Sequence, residues 1–100
     1  MQITIIARRW FQKSYGNTYH SCVVLVDGQE IGRVDFTYGY GDAYLQTAHS
    51  LLQEAGLYPK TGESLASGAD KDYNEFLMDT RENRGKFVVS VSDVARKKDL

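Results

Sequence analysis

Phe36-Thr37-Tyr38-Gly39-Tyr40-Gly41-Asp42-Ala43-Tyr44-Leu45 is the stretch in which the hydrophobic pattern changes its period. Before it, apolar and β-branched residues alternate as in a strand; after it, Tyr44, Leu45, Ala48, Leu51, Leu52 and Ala55 recur at helical spacing. Two glycines between the halves supply the backbone freedom a sharp corner needs. Asp42 stands where an N-cap is wanted, which predicts a helix over residues 43–55. Gly56 suits the position after a helix end, and Pro59 forbids continuation.

Working back from this corner, Asp27-Gly28 is a two-residue hairpin signal, because a type I′ turn needs positive φ. It separates a strand over residues 18–26, Thr-Tyr-His-Ser-Cys-Val-Val-Leu-Val, from one over 29–37. A regular pairing across that turn puts Val23, Leu25, Val34 and Phe36 on one face, expected to be the core. It puts His20, Arg33 and Asp35 on the other, with His20 opposite Asp35. Upstream, Ser14-Tyr15-Gly16-Asn17 marks another turn, and residues 2–12 read as a strand. That strand carries Ile3, Ile5 and Ala7 on one face and Thr4, Ile6, Arg8 and Trp10 on the other.

Downstream, Asp70 caps a second expected helix over about residues 70–83, with Tyr73, Phe76, Leu77 and Thr80 along one side, and Gly85 ends it. Residues 86–92 alternate as a last strand, and 95–100 read as a basic, frayed tail. The order β-β-β-α-α-β predicts an α+β fold: an antiparallel sheet of about four strands with two helices packed on one face. Residues 1–94 then form a single domain, which suits a chain of 100 residues.

Composition narrows the functional classes. The 42% hydrophobic and 25% charged content is that of a folded domain. One cysteine, Cys22, excludes an internal disulfide, and no stretch has the length of a membrane span, so a cytoplasmic protein that does not engage a membrane is expected. Net charge is −1, but residues 27–82 hold eleven acids against four bases while both ends are basic. A general nucleic-acid binder would carry a basic excess.

Several motifs invite chemical readings that fail. Tyr38-Gly39-Tyr40-Gly41-Asp42 resembles a potassium-channel filter, but a chain without membrane helices has no pore to line. Strand, Gly-x-Gly, helix resembles the start of a dinucleotide fingerprint, yet Tyr44 holds the third glycine position and Asp42 brings negative charge where a phosphate would sit. His20 and Cys22 share a strand face without the further ligands zinc requires, so neither a metal nor another cofactor is expected. His20 with Asp35 is the one acid-base pair the register offers, and it defines the enzymatic or nucleotide-ligand alternative.

Aromatic residues form the strongest remaining signal. Trp10 and Tyr19 interleave with Arg8, Arg9, Lys13 and His20, while Tyr38, Tyr40 and Tyr44 surround the corner. Such clusters anchor protein interfaces, or stack bases and hold phosphates in single-strand binders. Glu63, Asp70, Asp72, Glu75, Asp79 and Glu82 surround the second helix, as a solvated face or as an acidic surface competing for a basic partner.

Thr18-Tyr19-His20-Ser21 and Tyr38-Gly39-Tyr40-Gly41-Asp42-x-Tyr44-Leu45-Gln46-Thr47-Ala48 resemble a motif pair in a family of small bacteriophage proteins, over about the first 60 residues. That family carries no established activity. The resemblance implies a phage context, in which small proteins bind and modify host machinery or host defence. The resulting expectation is a non-enzymatic interaction module that inhibits or redirects a host protein or protein–nucleic-acid complex through Arg8, Arg9, Trp10, Lys13, Tyr19, His20, Tyr38, Tyr40 and Tyr44. Direct binding of single-stranded nucleic acid through the basic and aromatic first strand is the alternative. A homodimer formed by pairing of the first or last strand is a further expectation.

Overall fold

A computed structural model describes residues 1–83 and 85–100. Its elements follow the order β1 (Ile3–Gln12), β2 (Asn17–Val26), β3 (Gln29–Tyr38), α1 (Ala43–Glu54), α2 (Lys71–Glu82) and β4 (Phe87–Val94). The fold is α+β, with both helices on one face of a four-stranded sheet of order β3-β2-β1-β4.

Strands β1, β2 and β3 form the expected antiparallel meander. Asp27 and Gly28, with φ of 50° and 83°, make the two-residue turn between β2 and β3. The sheet is mixed rather than wholly antiparallel, because β4 runs parallel to β1 from Ile3↔Phe87 to Trp10↔Val94. Topology explains this. The chain leaves β3 at the end of the sheet where β1 finishes, crosses through both helices, and re-enters at the end where β1 begins. Parallel pairing needs such a long crossover.

β1 sets the core face. Ile3, Ile5 and Ala7 are buried as their alternation predicts, and directly paired residues share a face, so Val26, Val24 and Cys22 follow them inward. This corrects the expected orientation of β2. Val23 and Leu25 point to the uncovered face, and His20, Cys22 and Val24 are buried beneath α1.

Strand β3 departs from a regular ladder twice, between its pairings with His20 and Cys22 and between those with Val24 and Leu25. Each irregularity inserts an extra residue on the β3 side. Val34 therefore opposes Cys22 while Thr37, three residues on, opposes His20. Phe36 falls outside the core set it was expected to join, and it stacks on Tyr19 over the uncovered face.

Helix α1 buries Tyr44, Ala48, His49 and Leu52, and α2 buries Asp72 and Phe76. Leu57 donates its N–H to Leu52 O at 2.9 Å and Gly56 donates to Gln53 O at 3.0 Å, the paired bonds that close a Schellman motif. Asp70 caps α2 as expected, its carboxylate accepting from the N–H groups of Asp72 and Tyr73. Asp42 does not cap α1. Its φ of −93° and ψ of 14° lie outside the extended region a capping side chain requires, and it makes no side-chain cap bond.

The segment read as a frayed tail forms a 3-10 turn at Lys97–Asp99 and lies against the uncovered face. Lys97 sits over the Phe36 ring at 4.7 Å, and Leu100 borders a depression of about 310 Å³ floored by Ile6, Val23 and Leu25.

Candidate functional site

The uncovered face of the sheet carries a row of rings across three strands. Trp10 of β1, Tyr19 of β2 and Phe36 of β3 succeed one another with centroids 5.9 Å and 4.6 Å apart and interplanar angles of 27° and 16°. Trp10 pairs directly with Tyr19, and Tyr19 with Tyr38, so the pairing of β1, β2 and β3 aligns them. The irregularity in β3 brings Phe36 beside them. Tyr38 completes the row edge-on to Tyr19 at 5.7 Å and 76°.

The orientation of these rings decides what they can bind. Two nearly parallel rings 4.6 Å apart cannot lie side by side in one plane without overlapping, so they stand upright with their faces against each other. The spacing matches the 4.7–4.9 Å between neighbouring strands. Lys97 lies over Phe36. What the row presents to a partner is chiefly ring edges and hydroxyl groups.

At its upper end the row meets the corner. Tyr38 and Tyr40 are 63% and 73% exposed and border a shallow depression of about 390 Å³ with Asp42, Gln46 and Tyr73. Gly39 between them is held from both sides. Its N–H donates to Thr18 O at 3.0 Å, and its carbonyl lies 3.2 Å from His20 Nδ1. A carbonyl only accepts, so Nδ1 donates to it, and Nε2 lies 2.7 Å from the Thr47 hydroxyl, within hydrogen-bond distance. His20 ties the corner to α1.

Of the residues expected at a binding surface, Arg8, Trp10, Tyr19 and Tyr38 converge on the uncovered face, with exposed Tyr40 beside them. Lys13 sits apart in the β1–β2 turn. Three belong elsewhere. His20 is 1% exposed and locked as described, and Tyr44 is 6% exposed within the core, where burial raises the pKa of its hydroxyl. Arg9 points to the helix side, bonding Asp93 at 2.9 Å and Gly41 O at 3.0 Å. Phe36, missed because a regular pairing placed it in the core, joins the surface; only knowledge of the irregularity in β3 would have found it.

The expected His20–Asp35 pair does not form. His20 opposes Thr37 beneath α1, while Asp35 is exposed and lies 3.5 Å from Arg33. Among the described residues no three His, Cys, Asp or Glu side chains come together as metal ligands. Cys22 is buried, and burial pushes its thiol up to about 11, where the reactive thiolate is scarce.

The acids around α2 do structural work. Asp72 is buried and accepts from the Thr61 N–H at 2.7 Å, the Thr61 hydroxyl at 2.9 Å and the Gly62 N–H. Burial alone would raise its pKa, but these bonds hold it below the ordinary carboxylate value. Asp79 accepts from the Tyr58 hydroxyl, Asn83 and Lys86, and Glu63 pairs with Lys71 at 2.9 Å. With Asp70 capping α2, four of the six acids are held by partners within the chain, although Glu63 and Asp70 remain exposed, which leaves a weak basis for an acidic decoy surface.

No helix among the described residues is long and apolar enough to cross a membrane. Comparisons with protein families, with curated proteins and with solved structures find no match to this chain.

Proposed function

We propose that the protein is a non-enzymatic interaction module that docks on a partner protein through Trp10, Tyr19, Phe36 and Tyr38 and the adjoining Tyr40 corner. The observation that carries this reading is the upright ring row, which offers an amphipathic strip of edges and hydroxyls on the face of the sheet opposite α1 and α2. Tyr and Trp concentrate binding energy at protein interfaces because they are large, rigid and polar at one end. The resemblance to small phage proteins supports a host protein, alone or within a nucleic-acid complex, as the partner and inhibition as the outcome.

Single-stranded nucleic acid is less well supported. Base stacking needs free ring faces, and here Tyr19 is stacked between Trp10 and Phe36 while Lys97 lies over Phe36. The cations are also divided: Arg8 is on the uncovered face, Arg9 is bonded on the opposite one, and Lys13 is in a turn.

Affinity capture from a host lysate, repeated with Tyr38→Ala, Tyr40→Ala and Trp10→Ala, tests the surface. Each truncation at a central anchor should weaken capture by roughly thirtyfold, corresponding to about 2 kcal/mol. Undiminished capture by all three variants, with folding verified by circular dichroism, would discard the proposed surface. Tight, salt-dependent binding of labelled oligonucleotides would favour nucleic acid instead.

A further inference from the structure

The edge pairing expected of the first strand has no edge to use, because β1 is bonded to β2 on one side and to β4 on the other. The open ground is the face of the sheet opposite α1 and α2, and part of it is already occupied. Ser21 on that face is only 8% exposed, and Val23 and Leu25 are half-buried.

Residues 95–100 reach across this ground. β4 ends at Val94 beside Trp10, at one edge of the sheet, yet three residues later the Lys97 ammonium lies 4.7 Å from the centre of the Phe36 ring on β3, at the other edge. Leu100 then borders the depression of about 310 Å³ floored by Ile6, Val23 and Leu25. The two anchors differ in chemistry: a cation meets the negative face of a ring, and an aliphatic side chain meets aliphatic ones.

The hold is light. Asp99 N–H donates to Arg96 O at 3.0 Å, Leu100 N–H donates to Lys97 O at 3.2 Å, and Arg96 pairs with Asp99 at 3.5 Å. Among the described residues, the hydrogen bonds and ion pairs of 96–100 all close within the segment. A turn that satisfies itself and grips the sheet by two side chains can lift away without breaking a backbone bond to it.

Resting on the reading of the ring row as the docking surface, we propose that residues 95–100 are an autoinhibitory strap. Docked, the strap withholds Phe36 and the floor of Ile6, Val23 and Leu25; a partner segment with the same chemistry, a cation three residues before an aliphatic side chain, displaces it. The occupant is identified by the segment already seated there, because a partner presenting the same two groups at the same spacing meets the same ring and the same floor. Release also widens the docking surface, since it adds the aliphatic floor to the ring row.

The test uses the full chain carrying Lys97→Ser with Leu100→Gly, which removes both anchors without adding charge, and a synthetic peptide of residues 94–100 as the probe. Nuclear magnetic resonance should show the amide signals of 96–100 at disordered positions in this variant, with those of α2 unchanged. A strap docked about ten to one, at an effective concentration of a few millimolar, implies that the peptide binds the released variant with Kd of a few hundred micromolar or tighter. Binding should shift the Val23 and Asp35 amides, and the wild-type chain should bind at least tenfold more weakly because its own strap competes. A peptide carrying Lys97→Ser and Leu100→Gly should not bind. Tyr40→Ala, in the docking surface but outside this groove, should leave peptide binding unchanged, so failure of the strap and failure of the ring surface register separately. No shift at about 5 mM peptide, equal affinity for the wild-type chain, equal binding of the altered peptide, or a segment that stays ordered in the variant each overturns the proposal.

Discussion

Replacing Gly39 by alanine should be among the most damaging single-methyl changes in the molecule, because two separate costs meet there. The new Cβ would lie 2.6 Å from Ala43 Cβ and 3.0 Å from His20 Cε1, well inside the roughly 3.5–4.0 Å at which carbon atoms pack. Neither neighbour can yield cheaply. Ala43 Cβ is fixed directly to the first residue of α1, and the His20 ring is held at both nitrogens. Such overpacking costs about 1–3 kcal/mol. The φ of +154° is sparsely populated by residues with a side chain and adds about 1–3 kcal/mol. The sum, about 2–5 kcal/mol, corresponds to a fall in Tm of roughly 10–25 °C for a domain of this size. Gly41→Ala is the matched control: φ is +61° and nothing lies within 4 Å of the added Cβ, so only about 1 kcal/mol is expected. Urea unfolding followed by circular dichroism measures both. Ala43→Gly should reverse sign between backgrounds, destabilising the native chain but rescuing part of the Gly39→Ala loss by removing the 2.6 Å contact. A Gly39→Ala loss no larger than that of Gly41→Ala would refute the account of the corner.

Further outcomes follow from the caps and buried groups. Asp70→Ala should cost about 1 kcal/mol while Asp42→Ala costs less than about 0.5, since only Asp70 makes capping bonds; the two urea midpoints decide it. His49 is buried among the Tyr58, Tyr73 and Phe76 rings with Nε2 unpartnered, and burial holds its pKa below 6.5 against the opposing pull of Asp70 and Asp72. The unfolded chain therefore binds the proton more readily, so stability is full above about pH 6.5 and falls as pH drops through the folded pKa. His49→Leu should flatten the dependence between pH 7 and 5, whereas the lowered Asp72 and Asp79 should still produce a loss below pH 4, of the same sign. A wild-type slope that survives His49→Leu unchanged counts against this assignment. Cys22 should react with a thiol reagent far more slowly in the native state than in urea; equal rates would contradict its burial and raised pKa.

Much of the fold is legible because local signals act where no distant partner can override them. Asp27-Gly28 specifies its turn by φ alone, Gly56 and Pro59 end α1, and Asp70 starts α2, all within a few residues. Face assignments in β2 are less legible. Val23 and Leu25 are more apolar than His20 and Cys22, so composition favours the face that in fact stays uncovered. The decision is made by β1: once Gln12 pairs with Asn17 across the first turn, Ile5 must face Val24 and Ala7 must face Cys22. His20 is carried inward with them, and this is tolerable because Gly39 O and Thr47 satisfy both ring nitrogens.

The candidate surface depends on the same non-local logic. Tyr38 and Tyr40 could be suspected from the sequence, but their relation to Trp10 and Tyr19 exists only through strand pairing, and Phe36 joins only because β3 gains a residue opposite Ser21. Without that extra residue, Val34 and Phe36 would share a face, and with Val34 held opposite Cys22 the ring row would lack Phe36. The same irregularity lets Thr37 face His20, whose ring then holds Gly39 at the corner. One inserted residue therefore both builds the aromatic row and anchors the turn that presents Tyr38 and Tyr40. A deletion restoring a regular ladder would be expected to remove the surface and loosen the corner together, which links the binding proposal to the stability of the Gly39 contact.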